Sequence, residues 1–264
     1  MATTKTSIKI SKIQYLELEK ICIGAFSPLQ GFMTEEQFLS VVRTLRLPDG
    51  SVFPLPILLD INQDVAHRSD HQKKVVLTYE NIDVGILWPE SFFSCNKKEA
   101  CKEIYGTDDI SHPGVSFFFG LDEIFVGGKV ELIKKIDFDH FQYDMTPLET
   151  KTRFKELGWK KVVGFQTRNV PHRAHEYLQR VALEHTDGIF IQPLIGHKKT
   201  GDYTAEAVIK GNRALIENYF PKNRALLGSL STLMRYAGPR EAVFHAIIRR
   251  NYGCSHFIIG RDHA

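Results

Sequence analysis

Seven side chains able to bind anions or move protons fall within ten residues: Gln166, Thr167, Arg168, Asn169, His172, Arg173 and His175. They follow Val162-Val163-Gly164-Phe165, an apolar run between lysines and a polar turn that reads as a short buried strand. Beyond them, Ala174, Leu178, Val181 and Ala182 recur at the spacing of one helical face. Pro171 suits the first turn of that helix, and Asn169 lies close to its expected cap. The cluster is therefore expected in a strand-to-helix turn, where a helix N-terminus offers unpaired N–H groups and a partial positive charge. Arg168 adds a fork-shaped donor there, and His172 and His175 stand three apart on the first turn. The chemistry this suits is binding of a phosphate or sulfate. A single Arg or His at a helix start is ordinarily a solvated surface group; the density directly after a buried strand argues for a site.

The elements that must position this cluster belong to a second half in which strands and helices alternate. Strands are expected at Lys161–Phe165, Gly188–Leu194, Ala225–Leu230 and His256–Ile259, and helices at Pro147–Leu157, His172–His185, Thr204–Tyr219 and Pro239–Tyr252. Pro239 inside the start of the last helix and Gly253 after its end fit the usual punctuation. Such alternation predicts a parallel sheet covered by helices, with ligands beyond the carboxyl ends of the strands. Each strand is followed by polar or cationic groups: Gln166, Arg168 and Asn169; His197, Lys198 and Lys199; Arg235; Arg261 and His263. A parallel sheet would gather them at one edge, so a formal net charge of only +3 would conceal a concentrated positive cleft suited to a polyanion.

The first half has a different texture, of short apolar runs with turn signals, and is expected to be a β-rich α+β domain. Gly127-Gly128 suggests a hairpin, Thr34 with Gln37 a capped helix start, and Lys97–Tyr105 a further helix. The polar stretch from Asp137 to Thr152 marks the boundary, giving domains at 1–145 and 146–264. At 264 residues the chain is comfortable for two domains. Its 43% hydrophobic and 25% charged content is that of a globular protein. Cys22, Cys95, Cys101 and Cys254 form no CxxC pair, so no zinc ribbon or disulfide framework is expected. The N-terminus lacks a secretory apolar region and no run approaches the ~20 apolar residues of a membrane span, which places the protein in the cytoplasm and away from membranes. No G-x-x-x-x-G-K-[ST] and no G-x-G-x-x-G after a strand occurs, which argues against a Walker-type phosphate loop and against dinucleotide redox chemistry.

Four segments carry a family resemblance: Gly24 to Met33, the Gln166 to Glu176 cluster, Met234 to Ala242, and Gly260 to Ala264. Together and in this order they resemble the ATP sulfurylase (sulfate adenylyltransferase) family of prokaryotic type. Val170-Pro171 departs from the proline-first order of many members and moves no candidate side chain. The resemblance implies a PUA-like N-terminal domain, a Rossmann-like nucleotidylyl-transferase domain, and a chain that continues past Ala264 in other members. It implies transfer of AMP from ATP to sulfate, giving adenosine 5′-phosphosulfate and pyrophosphate, or the reverse. Gln166, Arg168 and the Ala264 backbone would hold sulfate, and Gln166, Arg168, Asn169, Gly260, Arg261, Asp262 and His263 would bind ATP. Thr167, Arg168 and Asn169 would form the catalytic loop, while His172 and His175 would stabilise the transition state. Mg²⁺ would arrive with ATP, with no protein-bound metal in this stretch, and a homo-oligomer is implied. Adenylyl transfer to another acceptor is the alternative within the class. A PUA-type RNA-binding module is the alternative outside it, but Phe117-Phe118-Phe119 is contiguous and followed by Asp122 and Glu123, which favours core packing over a nucleic-acid groove.

Overall fold

A computed structural model describes residues 6–138, 141–196, 201–261 and 263. They sort into two units: the described residues up to 136 with 235–244, and those of 137–234 with 245–263.

The first unit runs β1 (Ser7–Lys9), α1 (Lys12–Cys22), β2 (Gly31–Phe32), α2 (Glu35–Thr44), β3 (Asp60–Ile61), α3 (Gln63–Ser69), β4 (Val75–Tyr79), β5 (Ile82–Phe93), α4 (Lys97–Tyr105), α5 (Pro113–Phe119) and β6 (Ile124–Leu132). Its sheet has the order β1-β4-β5-β6-β2, with β3 also paired to β6; β1 and β4 are parallel and the other pairs antiparallel. The expected capping box closes the start of α2: Thr34 accepts from the Gln37 N–H, and the Gln37 side chain accepts from the Thr34 N–H. The hairpin expected at Gly127-Gly128 is absent, because β6 runs through both glycines. A Cβ on Gly127 would lie 2.3 Å from the Met33 carbonyl oxygen, and one on Gly128 2.0 Å from that of Trp88. These glycines permit close strand crossing. The tight turn is at Glu80-Asn81, both at positive φ (47° and 64°), between paired Tyr79 and Ile82. Of the three consecutive phenylalanines, Phe118 is buried beside Phe125 while Phe119 stays partly exposed.

The second unit contains a 3-10 turn at Phe141–Tyr143, then α6 (Pro147–Glu156), β7 (Val162–Phe165), α7 (Arg173–Leu183), β8 (Gly188–Ile191), α8 (Ala205–Tyr219), β9 (Ala225–Leu227), α9 (Pro239–Asn251, whose first residues group with the other unit) and β10 (His256–Phe257). All pairs in the sheet, ordered β10-β7-β8-β9, are parallel. Strand alternation assigns its faces. Val163, Phe165, Ile189 and Ile191 pack with Leu215 and Phe220 and with Ala182 and Leu183 of α7. Gly164 and Phe190 point the other way, toward Arg249 and Cys254, and toward Phe154 and Tyr252 respectively. Coverage on both faces explains why β7 and β8 are uninterrupted apolar runs. β8 and β9 end earlier than expected; past them only a Leu194–Leu230 bridge continues the ladder, since Pro193 has no N–H to give.

Residues 235–244 bear out one half of a prediction and overturn the other. Pro239 does open α9, but Arg235 does not join the expected cationic edge. It is 6% exposed, its guanidinium donates to Glu17 of α1 and it lies 5.1 Å from the centre of the Phe244 ring. Glu241 accepts the N–H groups of Arg235 (2.8 Å) and Ala237 (3.0 Å), although burial pushes its carboxyl above the usual range. Arg235 is engaged in a buried structural ion pair.

Candidate active site

β7 ends at Phe165, and the loop after it folds on itself. The Thr167 hydroxyl accepts the Asn169 N–H at 3.0 Å and donates back to the Asn169 carbonyl at 3.3 Å. This local turn stops the strand and buries Thr167. The Thr167 carbonyl is held in turn by the Leu194 N–H at 2.9 Å. Val170 and Pro171 then press on α8 at Gly211, where a Cβ would lie 2.9 Å from each. Neither Asn169 nor Pro171 takes the place expected of it. The N-cap of α7 is His172, in extended backbone and without a side-chain cap hydrogen bond, and Pro171 precedes it. The first turn of α7 thus keeps its N–H groups free of a side-chain cap, which favours an anion.

The two histidines stack, with ring centres 3.9 Å apart and planes at 22°, and His175 meets Phe165 edge-on at 5.4 Å. Burial, helped by the neighbouring His172, pushes His175 down to about 4 from 6.5. From the other strand end, past β10, comes His263. Its Nε2 is 3.1 Å from Nδ1 of His245, and its ring meets Phe257 edge-on at 5.5 Å. Burial and then the positive charges of Arg249 and Arg168 push His263 down to about 4 as well. Both imidazoles are neutral near pH 7.

One cavity of about 180 Å³ joins these pieces. Gln166, Thr167, Arg168, Asn169 and His175 line it from the β7 side, Gly260 and His263 from the β10 side, and Leu178, Met234 and Ile258 supply apolar wall. The Gln166 Oε1 is buried without a hydrogen-bond partner among the described residues. Arg168 is 25% exposed, and its Nε lies 3.8 Å from Oδ2 of Asp202, itself 10% exposed. The cavity thus offers a guanidinium, amide groups and neutral imidazoles to an oxyanion, beside a surface that suits a flat apolar group. His172 is exposed, stacks on His175 and is not among the lining residues. Arg261 is exposed and is not among the lining residues. Asp262 and Ala264, and His197, Lys198 and Lys199, lie outside the described residues.

Sequence reasoning missed Asp202, the apolar wall, His245 and Arg249. Asp202 carries no periodic signal. Arg249 does: it falls four residues after His245, on a helical face otherwise marked by Ile248 and Tyr252, so its burial was legible in principle.

The parallel sheet and this cavity define an α/β domain of the nucleotidyltransferase class. The ATP-sulfurylase family matches residues 141–264, and a PUA-like domain matches residues 1–135. The chain is 44% identical over 258 residues to the sulfate adenylyltransferase of Thermococcus onnurineus, covering 98% of this chain and 67% of that protein. It is 43% identical over 260 residues to that of Halothermothrix orenii, covering 97% and 68%. Among solved structures it resembles a hexameric APS kinase from Thiobacillus denitrificans, with a TM-score of 0.76 and 26% identity, over 99% of this chain and 48% of that one. The chain belongs to the sulfate adenylyltransferase (ATP sulfurylase) family.

Proposed function

We propose that the chain catalyses attack of a sulfate oxygen on the α-phosphorus of ATP. The new S–O–P bond forms as the bond from the α-phosphorus to the pyrophosphate oxygen breaks, giving adenosine 5′-phosphosulfate and pyrophosphate. The observation that carries this reading is the convergence of Gln166, Arg168, His175 and His263 on one cavity at the carboxyl ends of β7 and β10. Sulfate is fully ionised, so the reaction needs no general base. It needs two anions held together against their repulsion, a task for positioned donors rather than a nucleophile triad.

In this reading Gln166 and Arg168, with the Ala264 backbone, hold sulfate, while Thr167 shapes the loop that presents Arg168 and Asn169. His175 faces the phosphate oxygens as charge develops, and His172, stacked on its ring, supports it in stabilising the transition state. Being neutral at rest, His175 acts first as an N–H donor. Gln166, Arg168 and Asn169, with Gly260, Arg261, Asp262 and His263, receive ATP. Mg²⁺ enters as the metal complex of ATP, carried by phosphates and water. We assign residues 1–145 to the PUA-like domain and 146–264 to the catalytic domain, in a cytoplasmic homo-oligomer that meets neither nucleic acid nor membrane. The hexameric state of the APS kinase it resembles supports an oligomer. Pyrophosphate release from ATP, assayed with sulfate or molybdate against other acceptors, tests the reaction. Release independent of either oxyanion rejects it.

A further inference from the structure

α9 ends in adjacent arginines with opposite fates. Arg250 is exposed, whereas Arg249 is 0% exposed, the bulkiest fully buried side chain among the described residues. Among those residues no carboxylate pairs with it. Its Nη2 donates to the Gln192 carbonyl at 2.9 Å, and its Nε and Nη1 have no hydrogen-bond partner. Burial draws its pKa down to about 10, so it remains a cation at neutral pH. An unpaired buried charge is costly, and an apolar residue would fill this helix face at lower cost. The sheet makes room for it: a Cβ on Gly164 would stand 2.7 Å from the Arg249 Cγ.

Two links run from Arg249 to the cavity. Gln192, whose carbonyl it holds, donates its own N–H to the Phe165 carbonyl at 2.9 Å, and Leu194, two residues on, donates to Thr167. The second link runs through Phe257: the Arg249 guanidinium lies 5.8 Å from the centre of that ring, which meets the His263 ring edge-on at 5.5 Å, and the Arg249 charge, with that of Arg168, disfavours a protonated His263. We propose that Arg249 is a positioning residue: through Gln192 it fixes the end of β7 and the Gln166–Asn169 loop, and its unneutralised charge sets the positive potential of the cavity. The inference rests on the transfer reaction proposed above for its kinetic consequence, and on geometry for the rest.

The test compares Arg249→Met, Arg249→Lys and Gly164→Ala in the full chain, with exposed Arg250→Met as control. It reads sulfate-dependent pyrophosphate release, thermal melting, and the NMR titration of the His263 ring in ligand-free protein. Arg249→Met is expected to lower kcat about 10²-fold, the scale of a ~1 Å misplacement of reacting groups, and to raise KM for ATP as the cavity loses positive potential. Its His263 titrates at higher pH than in the parent. Arg249→Lys, which keeps the charge and loses the fork, restores part of kcat and leaves the His263 midpoint in place. Parent kcat in folded Arg249→Met, or an unmoved His263 midpoint, overturns the proposal. Should Arg249→Met not fold, Gly164→Ala, which displaces the guanidinium, must lower kcat, and its parent-like turnover overturns the proposal equally. If the parent itself turns over no sulfate, the reaction assignment fails while the His263 titration still decides the role of Arg249.

Discussion

Replacing Asp202 by Asn removes a carboxylate that stands 3.8 Å from the Nε of Arg168, the guanidinium assigned to sulfate. At that distance the attraction is about 1 kcal/mol in a water-like medium and about 4 kcal/mol at an effective dielectric of 20. The two side chains are 25% and 10% exposed, so the medium lies between these limits. The separation is too long for a hydrogen bond, and Asn keeps the shape, so the loss is Coulombic. Sulfate must share Arg168 with Asp202 or displace it. Neutralising Asp202 should therefore strengthen sulfate binding by ~1.4–2.8 kcal/mol, about 10- to 100-fold. The assay is initial velocity against sulfate at saturating ATP, repeated with molybdate. KM for both oxyanions should fall together. A higher sulfate KM, or a collapse of kcat at unchanged KM, would show that Asp202 holds the loop or a substrate group, and would refute the competition argument.

Arg168→Ala and His172→Ala should each lower kcat about 10²–10³-fold, the usual loss for a preorganised charge-stabilising donor, without altering thermal melting; near-parent turnover would remove that residue from the mechanism. Gly196→Ala would place a Cβ 1.9 Å from the Thr232 carbonyl oxygen, and the forced shift should cost ~1–3 kcal/mol in urea unfolding, so an unchanged midpoint would deny that close approach. His175 and His263 are both pushed from 6.5 to about 4, so between those values the unfolded chain binds more protons than the folded one. Their contribution is complete above about pH 6.5 and is lost as pH falls toward 4, ahead of Asp109 and Asp187, whose lowered carboxyls act nearer pH 4 and below. Urea midpoints that stay level from pH 7 to pH 5 would contradict the burial of the two imidazoles.

The parts of this fold that were legible in the sequence are those set by local chemistry. β7 and β8 announced themselves as apolar runs because helices cover both faces; the helical spacing of α7 was legible too, but of its apolar stripe Ala174, Leu178 and Val181 are exposed and only Ala182 packs on the sheet. The Thr34 capping box needs only side chains three residues apart. Long-range encounters were not legible. Gly127-Gly128 carries the letters of a turn, yet its small size serves strands arriving from Met33 and Trp88. Arg235 follows a strand as Arg168 does, and only the distant Glu17 makes one structural while the other lines the cavity. His172 became the cap because Thr167 closes the loop on Asn169 before the helix begins, a competition between two local polar turns that spacing alone does not resolve.

The near balance of 34 basic and 31 acidic side chains is resolved by sorting rather than by number. Arg235 is neutralised by Glu17, and Arg240 is turned onto the carbonyls of Val42 and Pro54. Arg249 keeps its charge unneutralised beneath the sheet, and Arg168 keeps part of its own at the cavity wall. Burial, and after it that residual charge, lowers His263, as burial and His172 lower His175. A resting site of two neutral imidazoles and two guanidiniums is therefore electrically incomplete in one direction only. In the proposed reaction an entering polyanion supplies the missing negative charge, and its field favours the protonated imidazoles against the burial and neighbouring positive charge that lower them. The donors assigned to the α-phosphate in that proposed reaction thus gain strength as charge accumulates there, which is the difference between ground state and transition state that catalysis requires.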